Sequence, residues 1–307
     1  MIYNSITELI GNTPLYRPHN FCKENNVPEG TDLLCKLEYL NPAGSVKDRT
    51  ALSLIRTAEK EGLLKKGSVI IESTSGNTGI GLAAIGAALG YKVILTMPET
   101  MTVERRKLLA AYGAEIVLTK GSLGMKGAND KAEELAKEID GAFLASQFSN
   151  PANPLAHKST TGPEIYADTE GKIDVLVAGI GTGGTLSGVA KYLKEKNPNI
   201  KIVGVEPASS PLISKGVAGA HGLQGIGANF IPENFDASLV DEIICVTEDD
   251  AYLSARRLAK TEGILCGITS GAALFAATAL SERYPSATIV TLLPDTGDRY
   301  LSTPLFE

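Results

Sequence analysis

The sequence predicts an α/β protein built from mainly parallel β-sheets, and three observations support this fold class. Short apolar runs rich in β-branched residues alternate with longer stretches of helical apolar spacing along almost all of the 307 residues. The short runs are continuously apolar, which is typical of strands that are covered on both faces. Residues 148–154 combine turn formers with a lack of apolar periodicity, and they divide the chain into two α/β halves.

The strands follow from the continuous apolar runs, taken in chain order. Eight strands are predicted, at 33–37, 68–72, 93–97, 115–118, 175–178, 200–205, 243–246 and 288–293. Apolar residues three and four positions apart predict helices between these strands. Seven helices are predicted, at 49–61, 78–89, 103–112, 126–139, 186–194, 249–261 and 271–284. This alternation indicates parallel neighbours that are joined by helical crossovers.

Charge and composition exclude several classes of protein. The chain carries 29 Lys and Arg against 35 Asp and Glu, a net charge of −6, and it contains no basic block. We therefore expect neither a nucleic-acid groove nor a polybasic membrane anchor. The N-terminal residues lack the basic and apolar regions of a secretory signal, and no apolar stretch is long enough to span a bilayer. A soluble, cytoplasmic protein is expected.

The cysteines and histidines predict no metal site. Cys22, Cys35, Cys245 and Cys266 contain no C-x-x-C pair, and their number is too low for a disulfide framework. The three histidines lie far apart in the sequence, so a structural zinc site is not expected either.

The first candidate site follows the predicted strand 68–72, where a loop of small polar residues leads into a helix. Thr74, Ser75, Asn77 and Thr78 place hydroxyl and amide groups around Gly76. Neutral donors beside the N–H groups of a helix N-terminus suit a small carboxylate. A capped tight turn is the structural alternative, but the run of small and polar residues is longer than a cap requires.

The second candidate site is the loop at 179–185, between a predicted strand and a predicted helix. Its glycine N–H groups and two threonine hydroxyls would form a phosphate cradle at the helix N-terminus. The loop also matches G-x-G-x-x-G, and Glu206 closes the next strand, as in a dinucleotide-binding fingerprint. The spacing from Gly179 to Glu206 exceeds the roughly 20 residues that this fingerprint expects. The loop alone does not separate a dinucleotide from a single phosphate.

Two further residues complete the set of candidates. Ser270 precedes the predicted helix 271–284 and, in isolation, is interpreted as an N-cap. Lys47 lies behind a Pro/Gly turn near a helix N-terminus, where the helix dipole disfavours positive charge and lowers a lysine pKa. A neutral lysine amine can attack a carbonyl and form a Schiff base. Lys47, a phosphate cradle and a carboxylate loop together indicate a pyridoxal phosphate (PLP) enzyme that acts on an amino acid.

Four motifs resemble, in their order, those of the cysteine synthase (O-acetylserine sulfhydrylase) family, a branch of the fold type II PLP enzymes (the β-family): 41–49, 74–79, 181–185 and 269–272. The resemblance extends from 9–15 to 299–303. It implies two three-layer α/β domains, similar to tryptophan synthase β, with PLP in the cleft between them. The implied domains are a segment at 1–44 packing with the larger domain, a smaller substrate-carboxylate domain at 45–148, and a larger domain with the phosphate-binding loop at 149–307.

The resemblance also implies the reaction and the role of each site residue. Sulfide would replace the acetate of O-acetyl-L-serine, giving L-cysteine through an α-aminoacrylate intermediate. Lys47 would form the Schiff base and remove the Cα proton, Asn77 would bind the cofactor's ring oxygen, and Ser270 would face the pyridine nitrogen. The cofactor phosphate would be held by Gly181, Thr182, Gly183, Gly184 and Thr185. The substrate would be held by Thr74, Ser75, Asn77, Thr78, Gln147 and Gly225, the first five at its carboxylate.

Partners and alternatives follow from the same resemblance. It implies a homodimer and, in some members, binding of the C-terminal tail of serine acetyltransferase in the active site. Two related activities stay open, a cystathionine β-synthase-like reaction on serine and a β-lyase reaction that releases sulfide from cysteine. Asn229 stands where a small residue is expected, which bears on the leaving group or the second nucleophile. An NAD-dependent dehydrogenase would use the 179–184 loop and Glu206 but leaves Lys47 unexplained, and an intact Lys47 argues against a non-catalytic binding protein.

Overall fold

The computed structural model describes residues 2–307. Over these residues the chain forms ten strands: β1 (Leu15–Tyr16), β2 (Asp32–Leu37), β3 (Val69–Ser73), β4 (Lys92–Pro98), β5 (Glu115–Thr119), β6 (Ala142–Leu144), β7 (Val175–Gly179), β8 (Lys201–Pro207), β9 (Glu242–Val246) and β10 (Thr288–Leu293). It also forms eleven α-helices: α1 (His19–Glu24), α2 (Lys47–Lys60), α3 (Asn77–Leu89), α4 (Val103–Ala111), α5 (Gly124–Glu138), α6 (Ala152–Ala156), α7 (Gly162–Asp168), α8 (Gly184–Lys196), α9 (Leu212–Lys215), α10 (Glu248–Glu262) and α11 (Ile268–Arg283). A π-helical turn occupies His157–Thr161.

The described residues divide into two compact units. The first unit contains the described part of Met1–Ile10 together with Asn41–Ala156. The second unit contains Gly11–Leu40 and His157–Glu307.

The first unit is built on a four-stranded parallel sheet with the order β5-β4-β3-β6. Successive side chains of a strand point to opposite faces, so Ile70 joins an apolar cluster with helices α2 and α3. Its neighbour Ile71 joins a second cluster, which includes Ala132 of α5. The sheet is therefore covered on both faces, which explains its continuously apolar strands.

The second unit is built on a six-stranded sheet with the order β1-β2-β10-β7-β8-β9. Its strands are parallel except for the edge pair β1 and β2, which is antiparallel. Val177 of β7 packs into a cluster with α10 and α11, and its neighbour Leu176 packs into a cluster with α8. This sheet is also enclosed by helices on both faces.

The predicted fold class is confirmed, because both units are mixed α/β with mainly parallel sheets. Every predicted strand and helix is present, with ends within about three residues of the prediction. The prediction missed β1, β6, α1, α6, α7, α9 and the π-helical turn. Strands of two or three residues are too short to stand out as apolar runs, and Pro154 made α6 resemble a turn. No helix among residues 2–307 is both long enough and apolar enough to cross a membrane.

Candidate active site

Lys47 is the first residue of helix α2, two residues before the predicted start of that helix. Its N–H donates to Ser45 Oγ at 3.2 Å, and Asp48 Oδ2 accepts the Ala43 N–H at 2.6 Å. These bonds hold the Pro/Gly turn against the helix start, where Asp48 is buried. The half-buried Lys47 therefore occupies a rigid helix N-terminus, the position that the sequence predicts.

Helix α2 packs closely against α3 at Gly81. A Cβ atom built on Gly81 would lie 3.0 Å from the Lys47 carbonyl oxygen and 3.1 Å from Ala51 Cβ. A side chain at this position would push the two helices apart. Gly81 thus lets the start of α2 lie against the first turns of α3, which begins at Asn77.

The loop at 74–78 connects the end of β3 to the start of α3. Thr74, Ser75 and Thr78 are buried, and Asn77 is half-buried. The Gly76 N–H donates to Thr74 Oγ1 at 3.1 Å, whereas Gly76 itself is the N-cap of α3 and makes no side-chain cap. A helix start without a side-chain cap is suited to bind an anion, so the capped-turn alternative does not describe this loop.

Gln147 lies in the same unit and contacts this loop. Thr78 Oγ1 donates to Gln147 Oε1 at 2.5 Å. Asn153 Nδ2 donates to the Gln147 carbonyl oxygen at 2.8 Å, and Thr50 Oγ1 of α2 donates to Asn153 Oδ1 at 3.2 Å. These bonds join α2, α3 and the segment after β6 through buried polar groups. The sequence did not predict that Asn153 supports Gln147 in this way.

Glu72 is a second residue that sequence reasoning missed. It lies in β3, is buried, and accepts the N–H groups of Ser73 and Gln147, each at 3.1 Å. Burial raises the pKa of its carboxyl from 4.5 to about 7, although hydrogen bonds from the backbones of Gln147, Ser73 and Ser146 and from the Gln147 side chain act in the opposite direction. A carboxyl inside a strand that is otherwise apolar was the signal that could have revealed it.

In the second unit, the predicted phosphate loop joins β7 to α8. Gly183 has a φ of +78° and is the N-cap of α8, and a Cβ there would lie 2.7 Å from the Phe235 main chain. A Cβ at Gly181 would overlap the Gly225 carbonyl oxygen. Only a bare backbone fits at both positions, so the loop presents main-chain N–H groups at the start of α8.

The two threonine hydroxyls of this loop have different partners. Thr182 is buried, and its Oγ1 accepts the Gly184 N–H at 3.4 Å. Thr185 Oγ1 lies 3.2 Å from His157 Nε2, and His157 Nδ1 lies 2.9 Å from Thr161 Oγ1. His157 is fully buried in the π-helical turn, a backbone form that sequence reasoning did not predict.

Glu206 closes β8 but does not resemble the acidic residue of a dinucleotide site. Its buried carboxylate accepts the N–H groups of Ile213 at 2.9 Å and Ser214 at 3.1 Å, which begin helix α9. It also accepts a bond from the Ser214 hydroxyl. Because its oxygens hold α9, they are not presented to a ribose, and the dinucleotide alternative loses its second motif.

Gly225 and Ser270 lie beside the phosphate loop in the second unit. The Gly227 N–H donates to the Ile180 carbonyl oxygen at 3.1 Å, and a Cβ at Gly225 would lie 3.1 Å from Thr269 Cγ2. The segment from Gly225 to Gly227 therefore connects the loop after β7 with the start of α11.

Ser270 is not the N-cap that its sequence context suggests in isolation. Helix α11 begins at Ile268 with Gly267 as its N-cap, so Ser270 lies in the first turn. The residue is fully buried, and its Oγ has no nitrogen or oxygen partner among residues 2–307. The Ser270 side chain interacts with the Cys266 thiol and acts to lower its pKa, and because sulfur is a weak acceptor, a ligand would be the better hydrogen-bond partner.

Asn229 lies near the phosphate loop. It adopts a left-handed conformation with a φ of 60°, and its Oδ1 accepts the Ser210 hydroxyl at 2.7 Å. It lines a small pocket together with Gly181 and Gly227. The residue that departs from the expected small side chain is thus held in a defined orientation beside the loop.

The structure therefore gathers the predicted residues into two sets, each within one unit. The first half-site contains Lys47, Thr74, Ser75, Asn77, Thr78 and Gln147. The second half-site contains Gly181, Thr182, Gly183, Gly184, Thr185, Gly225 and Ser270.

Comparisons with known proteins place these half-sites in context. The profile of a family described as "Pyridoxal-phosphate dependent enzyme" matches residues 6–295. A curated relative, cysteine synthase from Staphylococcus aureus strain Mu50, is 55% identical over 306 residues, covering 99% of this chain and 97% of the relative.

Solved structures of similar proteins cover nearly the whole chain. Cysteine synthase from Entamoeba histolytica superposes with a TM-score of 0.96 at 47% identity, covering 100% of this chain and 91% of that chain. A hydrogen sulfide-producing enzyme from Fusobacterium nucleatum superposes with a TM-score of 0.93 at 49% identity, covering 98% of this chain and 99% of that chain.

Proposed function

We propose that this chain, which belongs to the family of pyridoxal-phosphate-dependent enzymes, catalyses the cysteine synthase reaction. In that reaction sulfide replaces the acetate group of O-acetyl-L-serine, and the products are L-cysteine and acetate. The observation that carries the proposal is the 55% identity to a cysteine synthase over 99% of the chain. The two half-sites would supply the residues that the resemblance assigns to cofactor and substrate binding.

The second half-site fits PLP. The loop from Gly181 to Thr185 offers N–H groups and hydroxyls at the start of α8, where the helix dipole favours a phosphate. The buried Ser270 Oγ has no nitrogen or oxygen partner among residues 2–307, so a ring nitrogen would satisfy it. We propose that one PLP molecule engages this half-site together with Lys47 and Asn77. When bound, PLP supplies an electron-withdrawing ring that is conjugated to the Cα of an amino-acid substrate.

Ser270 would favour elimination over transamination. Its hydroxyl is neutral and can share one hydrogen bond with the ring nitrogen, whereas an aspartate would hold a proton there. Ser270 would therefore leave the bound cofactor less electron-withdrawing than an aspartate would. Lys47 Nζ would hold the cofactor covalently, and as a neutral amine it would take the Cα proton.

The first half-site would bind the substrate carboxylate. Its groups are neutral hydroxyls and amides at the uncapped start of α3, so they bind an anion without placing a full positive charge beside Lys47. The close packing at Gly81 keeps this helix start next to the Lys47 backbone. Carboxylate binding here would therefore orient the substrate Cα relative to Lys47.

The assembly and location of the enzyme are proposals that rest on the family resemblance. We propose that the enzyme is a cytoplasmic homodimer. We also propose that its active site accepts the C-terminal tail of a serine acetyltransferase. Light scattering of the purified protein tests the dimer, and titration with such a tail peptide in competition with O-acetylserine tests the partner.

Sulfide release from L-cysteine is a second candidate activity. Two observations favour it: the 49% identity to a hydrogen sulfide-producing enzyme, and Asn229 beside the phosphate loop in place of a small residue. Colorimetric measurement of sulfide released from L-cysteine tests this activity directly.

An absorbance titration of the purified holoenzyme tests the principal proposal. We expect O-acetyl-L-serine to shift the visible band of the cofactor to longer wavelength, and sulfide to restore it as L-cysteine forms. If L-serine or L-cysteine produces the shift and O-acetylserine does not, the reaction is one of the related activities. A purified protein without any visible band would overturn the PLP assignment.

A further inference from the structure

Glu72 lies directly before the carboxylate loop and has no role in the proposed chemistry. It is the penultimate residue of β3, and its side chain is buried beneath the loop that begins at Thr74. A carboxylate has two oxygens that only accept hydrogen bonds when ionised. In Glu72 one oxygen accepts the Ser73 N–H and the other accepts the Gln147 N–H.

The bond from Gln147 extends the connection between β3 and the segment after β6 beyond their backbone ladder, whereas the Ser73 bond lies within the end of β3. The paired residues end at Ile71 and Leu144, and the Ala145 N–H donates to the Ile71 carbonyl oxygen at 2.9 Å. Among residues 2–307, the paired strand residues of these two segments end at this point. Beyond it, Glu72 Oε2 accepts the Gln147 N–H at 3.1 Å and so keeps the two segments connected.

The position of the Gln147 backbone determines where its side chain lies. Its amide oxygen accepts the Thr78 hydroxyl at 2.5 Å, and Thr78 belongs to the carboxylate loop. Asn153 supports the same residue from the carbonyl side at 2.8 Å. Glu72 therefore holds the backbone N–H of Gln147, and Asn153 holds its backbone carbonyl oxygen.

Among residues 2–307, Glu72 has no cationic partner on the elements that pack against β3. Lys92 of β4 pairs with Glu115 of β5, and both are exposed. On α5, Lys126 pairs with Asp130 and Lys131 pairs with Glu134, toward the surface. Burying a carboxylate without a cation opposes folding, and an apolar side chain would avoid that cost. What the carboxylate adds is the ability to accept both N–H groups.

We propose that Glu72 is a positioning residue, which holds Gln147 and the end of β3 so that the Thr78–Gln147 pair can receive the α-carboxylate of an amino-acid substrate. The inference rests on the proposed function, because it assigns the recognition of an amino acid to this half-site. It predicts that loss of the carboxylate weakens substrate binding more than it slows turnover.

Three variants of the holoenzyme test the inference. Glu72→Ala removes both acceptor oxygens, and Glu72→Gln keeps one oxygen but places an amide N–H₂ against the other N–H donor. Glu59→Gln is the matched control, because Glu59 lies in the same unit near the end of α2 and binds Arg56 and Tyr91 instead of the loop. Each protein is titrated with O-acetyl-L-serine by the visible absorbance of the cofactor, and KM, kcat and thermal unfolding are measured alongside.

We expect Glu72→Ala to raise Kd and KM for O-acetylserine about tenfold or more, as loss of buried hydrogen bonds implies. We expect kcat to change by less than about threefold, with the visible band of the resting holoenzyme unchanged. Glu72→Gln should lie between Glu72→Ala and the wild type, and Glu59→Gln should match the wild type. If Glu72→Ala does not fold, the nearly isosteric Glu72→Gln decides the question.

Wild-type Kd and KM in both Glu72 variants would overturn the inference. So would a fall in kcat with unchanged Kd, or a loss of stability without any change in Kd. Failure of the proposed function is distinguishable, because the wild type itself would then not respond to O-acetylserine. The same comparison of variants is then made with L-cysteine as the titrant, and a wild type that responds to neither amino acid would overturn both.

Discussion

Thr78 Oγ1 and Gln147 Oε1 are 2.5 Å apart, and the bond joins two residues that are 69 positions apart in the sequence. Thr78 donates and the amide oxygen of Gln147 accepts, while the Gln147 side chain also hydrogen-bonds the Glu72 carboxylate. The pair connects the first turn of α3 with the segment after β6 in one unit. Both residues were predicted to bind the substrate carboxylate, and the structure shows that they contact each other.

Thr78→Val tests this pair. The substitution keeps the shape of the side chain but removes the hydroxyl, so the Gln147 amide loses a buried donor and its orientation. We expect KM for O-acetylserine to rise about tenfold, which corresponds to about 1.4 kcal/mol, with a smaller change in kcat. Thr57→Val, in α2 of the same unit, is the control for a β-branched replacement. Equal KM values in the two variants would remove Thr78 from substrate binding.

Lys47→Ala tests the covalent attachment of the cofactor. Lys47 is half-buried at the start of α2 and outside the apolar clusters, so its loss should leave the fold intact. We expect the visible band of the Schiff base to disappear while the far-ultraviolet circular dichroism is unchanged. Lys60→Ala, at the exposed end of the same helix, is the matched control and should keep the band. A band of unchanged position and intensity in Lys47→Ala would exclude Lys47 as the Schiff-base residue.

Ser270→Ala separates the role of Ser270 in folding from its role in binding. Its hydroxyl is buried without a nitrogen or oxygen partner among residues 2–307 and interacts with the Cys266 thiol, so removing it loses at most a weak bond to sulfur. We therefore expect the protein stripped of PLP to be as stable as the wild type or more stable, by up to about 1 kcal/mol. We expect the added stability on binding PLP to be smaller than in the wild type, because one cofactor contact is lost.

Ser281→Ala is the matched control for Ser270→Ala. Ser281 is equally buried in the same helix, but its hydroxyl donates to the Thr278 carbonyl oxygen at 2.6 Å. Its loss should lower stability by about 1 kcal/mol with and without PLP. Thermal unfolding of both variants in both states makes the comparison. Equal destabilisation of the two PLP-free variants would show that Ser270 is hydrogen-bonded within the protein.

His157→Ala tests how the phosphate loop is supported. His157 is buried, and its Nε2 lies 3.2 Å from Thr185 Oγ1. Its removal leaves a cavity and deprives the Thr185 hydroxyl of this partner, so we expect Kd for PLP to rise about tenfold. Fluorescence titration of the stripped protein with PLP measures this change, and His19→Ala, at an exposed position of α1, is the control. An unchanged Kd would limit His157 to packing.

Much of the fold and both half-sites could be predicted because their signals are local. Continuously apolar runs in the sequence indicated strands that are buried on both faces, and glycine-rich loops indicated helix N-termini that can bind anions. The residues that sequence reasoning missed act through partners distant in the chain. Asn153 reaches Gln147 through a side chain, Glu72 acts across two strands, and His157 depends on a π-helical turn. None of these contacts follows from periodicity or from a motif. Glu206 is the opposite case, in which a local signal misled. It completed the dinucleotide-binding fingerprint in the sequence, but in the structure it binds the start of α9.

The stability of the protein should depend on pH through Glu72. Burial raises the pKa of this carboxyl to about 7, from 4.5 in an exposed state. Between these values the folded protein holds a proton that the unfolded chain releases, so stability falls as the pH rises through this window. Glu72→Gln cannot titrate, and its stability relative to the wild type should therefore increase by roughly 3 kcal/mol in total from pH 4.5 to above pH 7. Most of that change should be visible between pH 5.5 and 8 by chemical denaturation. The wild type is therefore most stable at the acidic end of this window, which is the opposite of what a carboxyl in a salt bridge would give.

Glu59→Gln is the control and should show no such trend. Desolvation raises the pKa of Glu59, but hydrogen bonds from Arg56 and Tyr91 outweigh it, so the pKa of Glu59 is lowered overall. A constant difference between Glu72→Gln and the wild type across this range would mean that Glu72 is ionised throughout, and that its hydrogen-bond donors, the Gln147 side chain among them, offset the cost of burying its charge.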